Sequence, residues 1–321
     1  KYSNEFLNIG VDAKSIGMAN AVVSNVDDVN ATYWNPAGLI NIERDEISLM
    51  HSNYFANIAS YNYISYAKKI DNESALGLSL IRFGVDDIMD TTQLIDNQGN
   101  IDYNRIELFS AADYAFVLSY AKKNKLLNLN FGINAKIIRR IIGDFANSWG
   151  FGFDLGIQHQ AKNGWKFGLM ARDITTTYNS WSFDQNRLND IQNALEGENQ
   201  EIPEKNEISI PKVQFGVSKE IYLSNDYSML AAFDLFMLFE QTNDLISTSF
   251  ASINPSVGFE FEYIDLVYFR LGVGNFQNEL QFDSTTELSF QPNFGIGFNL
   301  GNVEVDYAFT DIGNQSAALY S

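Results

Sequence analysis

Apolar and polar residues alternate along this chain from residue 46 onward. In the stretch LLNLNFGINAKI (126–137), leucine, phenylalanine, isoleucine and alanine occupy every second position, and asparagine, glycine and lysine lie between them. The same period of two recurs at 151–158, 165–172, 257–262 and 294–300. Successive side chains of a β-strand point to opposite faces, so this pattern predicts strands with one apolar and one polar face.

The pattern divides the chain into about fourteen strands. They are expected near 46–54, 61–70, 74–83, 112–121, 126–140, 149–159, 165–172, 208–219, 227–238, 250–262, 265–274, 287–298, 302–310 and 316 to the end. Pro211, Pro255 and Pro292 fall near the beginnings of three of these strands, where a missing N–H removes few ladder hydrogen bonds.

The connections distinguish between two β architectures. A soluble sandwich turns its apolar face to a core and a membrane barrel turns it to lipid, so both give alternation. Short connections (DNES, KKNK, AKNG, IYLSND, YID and LGN) follow every second strand. Mostly long, polar loops follow the others, at 84–111, 141–148, 173–207, 239–249 and 275–286. This arrangement is typical of outer-membrane barrels, so we predict an all-β fold, a 14-stranded antiparallel transmembrane β-barrel.

Composition narrows the classes of partner. The 321 residues carry 21 Lys and Arg against 40 Asp and Glu, a formal charge of −19, so phosphate repulsion argues against a nucleic-acid partner. With no cysteine, a disulfide or thiolate metal site is excluded. The longest strongly apolar run, residues 228–239, is shorter than the roughly 20 residues of a spanning helix. No leader peptide is recognisable at the start, which fits a cytoplasmic protein or a mature exported one.

Charged residues of both signs fall on the polar faces of the predicted strands and would point into the lumen. They are Lys136, Asp154, Arg172, Lys212, Asp234, Glu260, Glu262, Arg270, Glu304 and Asp306. We expect these charges to pair with one another across the lumen, rather than to mark a transport path. Tyrosine and tryptophan residues near the strand ends are expected to form interfacial girdles.

The opening 44 residues differ from the rest. Residues 5–40 are rich in small apolar side chains and end in a turn that contains Pro36 and Gly38. Irregular backbone cannot face lipid, but inside a barrel its polar groups find partners. We therefore predict two parts, a lumenal plug at 1–44 and the transmembrane barrel with long extracellular loops at 45–321.

The opening segment also carries a recognisable motif. The stretch IGVDAKSIGMANAVVSNVDDVNATYWNPAGLINI resembles the N-terminal signature of FadL-type outer-membrane barrels, and within them the PorV/PorQ branch of type IX protein secretion in Bacteroidetes. The residues that carry the resemblance are Gly10, Ala13, Gly17, Met18, Asp27, Asp28 and Trp34 to Leu39. We assign a structural role in the plug to Gly10, Ala13, Gly17, Met18, Trp34, Asn35, Pro36, Ala37 and Gly38. The resemblance implies a plugged barrel in the bacterial outer membrane, with both termini periplasmic and the long loops extracellular.

The same resemblance implies a function without catalysis. A PorV-like protein would bind the secretion translocon barrel, the C-terminal signal domains of secreted cargo, or both, in contact with outer-membrane lipid. The alternative is a FadL-like passive channel for hydrophobic small molecules. An apolar pocket between plug and wall that opens through the side of the barrel would favour the channel. One departure is the last stretch, QSAALYS (315–321), which is short for a spanning strand and leaves open how the barrel closes.

Other candidate sites are weak. His51 and Ser52 are neighbours in a strand and point to opposite faces, so they cannot form a catalytic pair, and His159 is expected at a strand end. DNQGNID (96–102) lacks the ligand spacing of a calcium loop, and the acidic stretch 184–207 is expected to form an exposed helix that secretion partners could contact. Glycines at 84, 143, 150, 152 and 156 mark either strand kinks or, preferably, room for the plug. We expect no catalytic residue, cofactor or metal.

Overall fold

A computed structural model describes residues 3–95, 98–185, 205–280, 285–310 and 317–320. Its strands form one 17-stranded antiparallel sheet. They are β1 (Glu46–Tyr54), β2 (Ala59–Asp71), β3 (Ser74–Asp90), β4 (Glu107–Asn124), β5 (Leu129–Ile142), β6 (Ala146–Gln160), β7 (Trp165–Arg172), β8 (Thr177–Phe183), β9 (Asn206–Ser209), β10 (Lys212–Tyr222), β11 (Tyr227–Leu238), β12 (Ile246–Ser247), β13 (Ser252–Tyr263), β14 (Val267–Leu280), β15 (Thr286–Asn299), β16 (Glu304–Thr310) and β17 (Ala317–Tyr320).

The sheet returns to its own first strand. Neighbouring strands pair in chain order from β1 to β7, then through β10, β11 and β13 to β17, and β17 pairs back with β1 through His51 and Ser52. Three of the seventeen strands, β8, β9 and β12, lie outside this circuit, which leaves fourteen in the barrel wall. The predicted 14-stranded antiparallel barrel is thus confirmed, and the short β17 completes it.

Most predicted strands agree with the observed ones, and three run over the same residues, 46–54, 165–172 and 227–238. The loop predictions are less accurate, because several strands continue beyond the alternating stretch. The loop expected at 84–111 is reduced to 91–106, and the one at 141–148 is reduced to 143–145. Strands β8 and β12 lie in loops of the prediction and were not expected, and β9 was expected as part of the following strand.

The apolar faces of the strands point outward. On β6, Phe151, Phe153 and Leu155 are 58%, 42% and 45% exposed, while Asp154 between them is buried. The same holds around the ring, since large apolar side chains of nearly every strand are exposed. An apolar outer surface of this extent requires a lipid environment, so we treat the strands as membrane-spanning. Among the described residues, no helix has the length and apolar character needed to cross a bilayer.

The N-terminal segment, residues 3–42, lies inside the ring. It contains 3-10 helices at Glu5–Asn8 and Pro36–Asn41 and two short α-helices, α1 (Ala13–Gly17) and α2 (Ala31–Trp34). Helix α1 contacts β14, β15 and β16, whereas Pro36–Asn41 contacts β3 to β6 on another part of the wall. The segment therefore extends across the lumen, and most of its side chains are buried.

The inward charges of the wall largely pair, as expected. The Lys136 ammonium lies 2.7 Å from Asp154 and 2.6 Å from Asp173. The buried Arg270 guanidinium contacts three carboxylates, those of Glu260, Glu304 and Asp306. Such pairing avoids the large free-energy cost of an isolated buried charge.

Candidate ligand cavity beside the N-terminal segment

Trp34 is held within the N-terminal segment by its indole N–H. Nε1 donates to the carbonyl oxygen of Val11 (3.2 Å) and to Oδ2 of Asp12 (3.1 Å). The same aspartate caps α1, because its carboxylate accepts from the backbone N–H and the hydroxyl of Ser15, both at 2.7 Å. Tyr33 packs edge-on against the indole at 4.8 Å. The Trp34 side chain therefore connects the two α-helices of the segment.

The turn that follows Trp34 joins the segment to the wall. The Asn35 carboxamide donates to the carbonyl oxygens of Val23 (2.9 Å) and of Ile157 on β6 (3.1 Å), and its Oδ1 accepts from the N–H of Ala37 (3.2 Å). Pro36 occupies the first turn of the 3-10 helix, where its missing N–H leaves no bond unmade. A Cβ at Gly38 would collide with the carbonyl oxygen of Val26, so only glycine fits there.

Most of the remaining motif residues are also buried inside the ring, whereas Asp28 is half-buried and Asp27 is exposed. Gly10 has a φ of 99°, a conformation that favours glycine, and a Cβ there would lie 3.2 Å from the Trp34 ring. A Cβ at Gly17 would lie 3.0 Å from the backbone of Gly295 on β15. Ala13 and Met18 are fully buried, and the Met18 carbonyl oxygen would lie 2.6 Å from a Cβ at Gly258. That the motif serves as a plug stays a prediction.

Inward glycines of the wall make room for the segment. A Cβ at Gly156 would collide with the Asn35 side chain, and one at Gly132 would collide with the backbone of Pro36 and Ala37. The preferred explanation for Gly156, that it makes room for the N-terminal segment, is therefore confirmed. Gly150 and Gly152 instead make room for side chains of β8, and Gly143 adopts a φ of 46° in the turn before β6.

Two interruptions of the strand pairing lie towards the long-loop end. The register shifts between Val85 and Ile88 on β3, directly after Gly84, so that glycine does precede a bulge. A second shift lies between Gly274 and Gln277 on β14. Gly274 and Gln277, on either side of the second shift, also line a cavity between the N-terminal segment and the wall. The cavity therefore reaches the wall at this bulge.

A cavity of about 420 Å³ lies between the N-terminal segment and the wall. The segment lines it mostly with apolar side chains, Leu7, Ile9, Ile16, Ala19 and Trp34. The wall adds Phe236 and Leu238 from β11, and then many carboxamides. These are Gln214, Asn254, Asn275, Gln277, Gln291 and Asn293. The volume lies within the roughly 300–1,000 Å³ range typical of small-molecule sites.

Two charged side chains also line the cavity. The Arg172 guanidinium stacks 4.6 Å above the Tyr33 ring and 5.9 Å from the Trp34 ring. The buried Asp244 carboxylate accepts from the Asn254 carboxamide (2.8 Å) and the Thr242 hydroxyl (2.7 Å). Within the described part of the chain, neither side chain forms a salt bridge. The expectation that lumenal charges pair therefore does not hold for Arg172. In the described part of the chain it also fails for Asp234 and Glu262, which accept hydrogen bonds from neutral donors instead.

The Asp12 carboxyl of the N-terminal segment has a shifted pKa. Burial raises the pKa of Asp12 to about 7, and the nearby Asp28 carboxylate acts in the same direction. The hydrogen bonds from Ser15 limit this rise, because they favour the ionised carboxylate. Protonation near neutral pH would weaken the bonds that hold Trp34 and the first turn of α1.

The two histidines contact neutral polar groups. His51 Nδ1 lies 2.7 Å from the Asn62 side chain on β2, and His159 Nδ1 lies 2.9 Å from the Asn128 carbonyl oxygen. No three His, Asp or Glu side chains converge as a metal site in the described ranges. Part of the stretch 96–102 and most of the acidic stretch 184–207 lie outside the described residues, so the expected exposed helix is untested.

Comparison with solved structures identifies the fold. The Pseudomonas putida toluene transporter TodX matches with 12% identity over 97% of this chain and 95% of its own, at a TM-score of 0.55. The fold is that of FadL-type barrels. The monoaromatic hydrocarbon channel CymD matches equally well, with 12% identity, the same coverages and a TM-score of 0.55. A Pseudomonas aeruginosa FadL homologue matches with 10% identity over 97% and 96% of the two chains, at a TM-score of 0.50.

No protein-family model and no curated protein matches the sequence. At the identities above, the likeness establishes the FadL-type fold and leaves the PorV/PorQ assignment as a prediction. The sequence analysis placed Arg172 in the lumen correctly from its alternation. It missed Asp244, Asn254 and Gln277, because they come from a predicted loop and from the ends of strands that meet only in three dimensions.

Proposed function

We propose that this protein is a passive channel of the bacterial outer membrane that binds a small molecule with an apolar body. The observation that carries the proposal is the cavity between the N-terminal segment and the wall, with its apolar side chains from the segment and β11. The proposal is supported by the FadL-type fold, since solved structures with this fold are named as toluene transporters and monoaromatic hydrocarbon channels. No step of bond making or breaking is required of the protein.

The bulge of β14 suggests how a ligand reaches the cavity. Gly274 and Gln277 flank the register shift and line the cavity, so a local rearrangement there would connect it with the lipid-facing side. An apolar ligand would then leave or enter through the hydrocarbon region without crossing water, which is favourable for apolar surface. In this proposal, the N-terminal segment is the plug that blocks a straight path along the barrel axis.

The orientation stays part of the proposal. The long loops would face outside and the short turns the periplasm, as in outer-membrane barrels. The first described residues, Ser3 and Asn4, hydrogen bond with Asn179 on β8 and Ser209 on β9. They therefore lie towards the long-loop half of the barrel, while residue 42 leads to the short-turn end where β1 begins.

An uptake assay tests the channel. Ser256 of β13 lines the cavity, so Ser256→Trp should fill part of it. Ala231 of β11 alternates with the inward residues, so Ala231→Trp places the same ring on the outward face as a matched control. Cells that carry the protein in their outer membrane should take up labelled toluene faster than cells without it. Ser256→Trp should abolish this gain and Ala231→Trp should keep it, whereas equal uptake by all strains would refute the proposal.

A second candidate is a subunit of the type IX secretion machinery, favoured by the resemblance of residues 9–42 to the PorV/PorQ signature. Its partners would be the translocon barrel and cargo C-terminal signal domains, contacted through the long loops. Purification from native outer membranes followed by mass spectrometry tests it. Recovery with a secretion component or cargo would support this role, and recovery with neither would refute it.

A further inference from the structure

The two charges on the cavity, Arg172 and Asp244, differ from Lys136 and Arg270 elsewhere in the lumen. Lys136 and Arg270 each contact at least two carboxylates. Arg172 and Asp244, by contrast, form no salt bridge in the part of the chain that the structure describes, and both line the same cavity. A buried or half-buried charge without a countercharge costs free energy unless something compensates it, so the retention of both charges indicates a ligand that does so.

The surroundings of each charge indicate what that ligand carries. Arg172 lies flat on Tyr33, and the guanidinium still has its N–H groups available for an acceptor, because none of them donates a hydrogen bond within the described residues. Asp244 is held in place by Asn254 and Thr242, which are neutral donors and supply no countercharge. The first position suits an anionic group and the second a cationic one.

The apolar side chains complete the description. Leu7 and Ile9 of the N-terminal segment, together with Phe236 and Leu238 of β11, give the same cavity an apolar part. We propose that the cavity binds a zwitterion with an apolar body, such as an apolar amino acid or short peptide, with its carboxylate at Arg172 and its ammonium group at Asp244. This inference rests on the proposed channel function and specifies its ligand.

Three simpler ligand classes fit less well. A pure hydrocarbon can occupy the apolar part of the cavity but leaves both charges and the carboxamides of the wall without partners, so it should bind more weakly than a ligand that pairs them. A simple anion would be bound by Arg172 but repelled by Asp244 and by a chain whose formal net charge is −19. A simple cation would be bound by Asp244 but repelled by Arg172. The zwitterion is the class that compensates both charges at once.

Four probes with one aromatic body separate these classes. They are phenylalanine, 3-phenylpropanoate, 2-phenylethylammonium and ethylbenzene, measured by equilibrium binding to the purified, folded protein at neutral pH. Phenylalanine should bind at least about tenfold more tightly than each of the others, because one charge-assisted contact is worth about 1.5–3 kcal/mol. If ethylbenzene binds as tightly as phenylalanine, the zwitterion inference is wrong while the channel proposal stands. If no probe binds, the channel proposal itself fails.

Two variants that each remove one charge test the assignment. Arg172→Gln should weaken phenylalanine and 3-phenylpropanoate about tenfold and leave ethylbenzene unchanged. Asp244→Asn should weaken phenylalanine and 2-phenylethylammonium instead. Arg105→Gln, in the loop between β3 and β4, is a control that should change none of these affinities, since Arg105 pairs with Asp102 away from the cavity. A variant that weakens all four probes equally would indicate loss of the cavity's shape and contradict the assignment.

Discussion

The hydrogen bonds of Asn35 allow a quantitative prediction of the free energy needed to displace the N-terminal segment from the barrel wall. Asn35→Ala removes two bonds to carbonyl oxygens, of Val23 and of Ile157, and one bond from the N–H of Ala37. The Asn35 side chain is fully buried, and each partner left unsatisfied costs roughly 1–3 kcal/mol. We expect the free energy of displacing the segment to fall by about 3 kcal/mol, which corresponds to an approximately hundredfold larger opening constant.

Thiol labelling measures this opening. The chain contains no cysteine, so Ser24→Cys introduces a single buried thiol within the N-terminal segment. When closing is faster than labelling, the labelling rate is proportional to the opening constant. Asn35→Ala in this background should therefore label about a hundredfold faster. Asn163→Ala, which removes an exposed carboxamide in the turn between β6 and β7, is the matched control and should leave the rate unchanged.

The comparison requires an intact barrel, which circular dichroism and the mobility of the unheated protein on gels report. If the Asn35→Ala and Asn163→Ala proteins label at the same rate, Asn35 does not hold the segment against β6. The claim that the Asn35 hydrogen bonds hold the N-terminal segment in place would then be refuted.

Three further predictions concern the lumen. Gly132→Val should weaken seating of the segment by about 1–3 kcal/mol, seen as faster thiol labelling, because its side chain would collide with Ala37. Arg270→Met leaves three carboxylates without their cation and should lower the free energy of unfolding by about 3–5 kcal/mol. Arg270→Lys keeps a cation and should lower this free energy by less than Arg270→Met does. Unchanged thermal unfolding of Arg270→Met would contradict this prediction. The raised pKa of Asp12, about 7, means that the folded state holds this proton more tightly than the unfolded chain. Stability from this group should therefore fall as pH rises from about 4 to 7, and Asp12→Asn should remove that part of the pH dependence.

The barrel wall could be predicted from the sequence because its determinants are local. Period-two alternation and short polar turns are properties of neighbouring residues, and the lipid-facing side chains of β6 show the pattern directly. Strand ends such as Val85–Asp90 were missed, because a bulge breaks the alternation there while pairing with β4 continues. Strand β8 was also missed, because its pairing with β6 depends on where the chain folds back.

The candidate site could be predicted only in part. Alternation placed Arg172 in the lumen, but whether a charge is paired depends on which carboxylates other strands bring near it. Asp244 was assigned to an outer loop, yet a bridge to Gln277 and the short β12 fold that loop back against the wall. The cavity is formed by segments more than two hundred residues apart, such as Leu7 and Phe236, so no local pattern could reveal it.

Locating a bound ligand tests the central claim most directly. Crystals of the protein grown or soaked with 4-bromotoluene would show the bromine by its anomalous scattering. The account predicts a peak between the N-terminal segment and β11, β13 and β14, within contact distance of Leu7 and Phe236, and its loss in Ser256→Trp but not in Ala231→Trp. Bromine found only on the lipid-facing surface would contradict the claim that this cavity is the binding site.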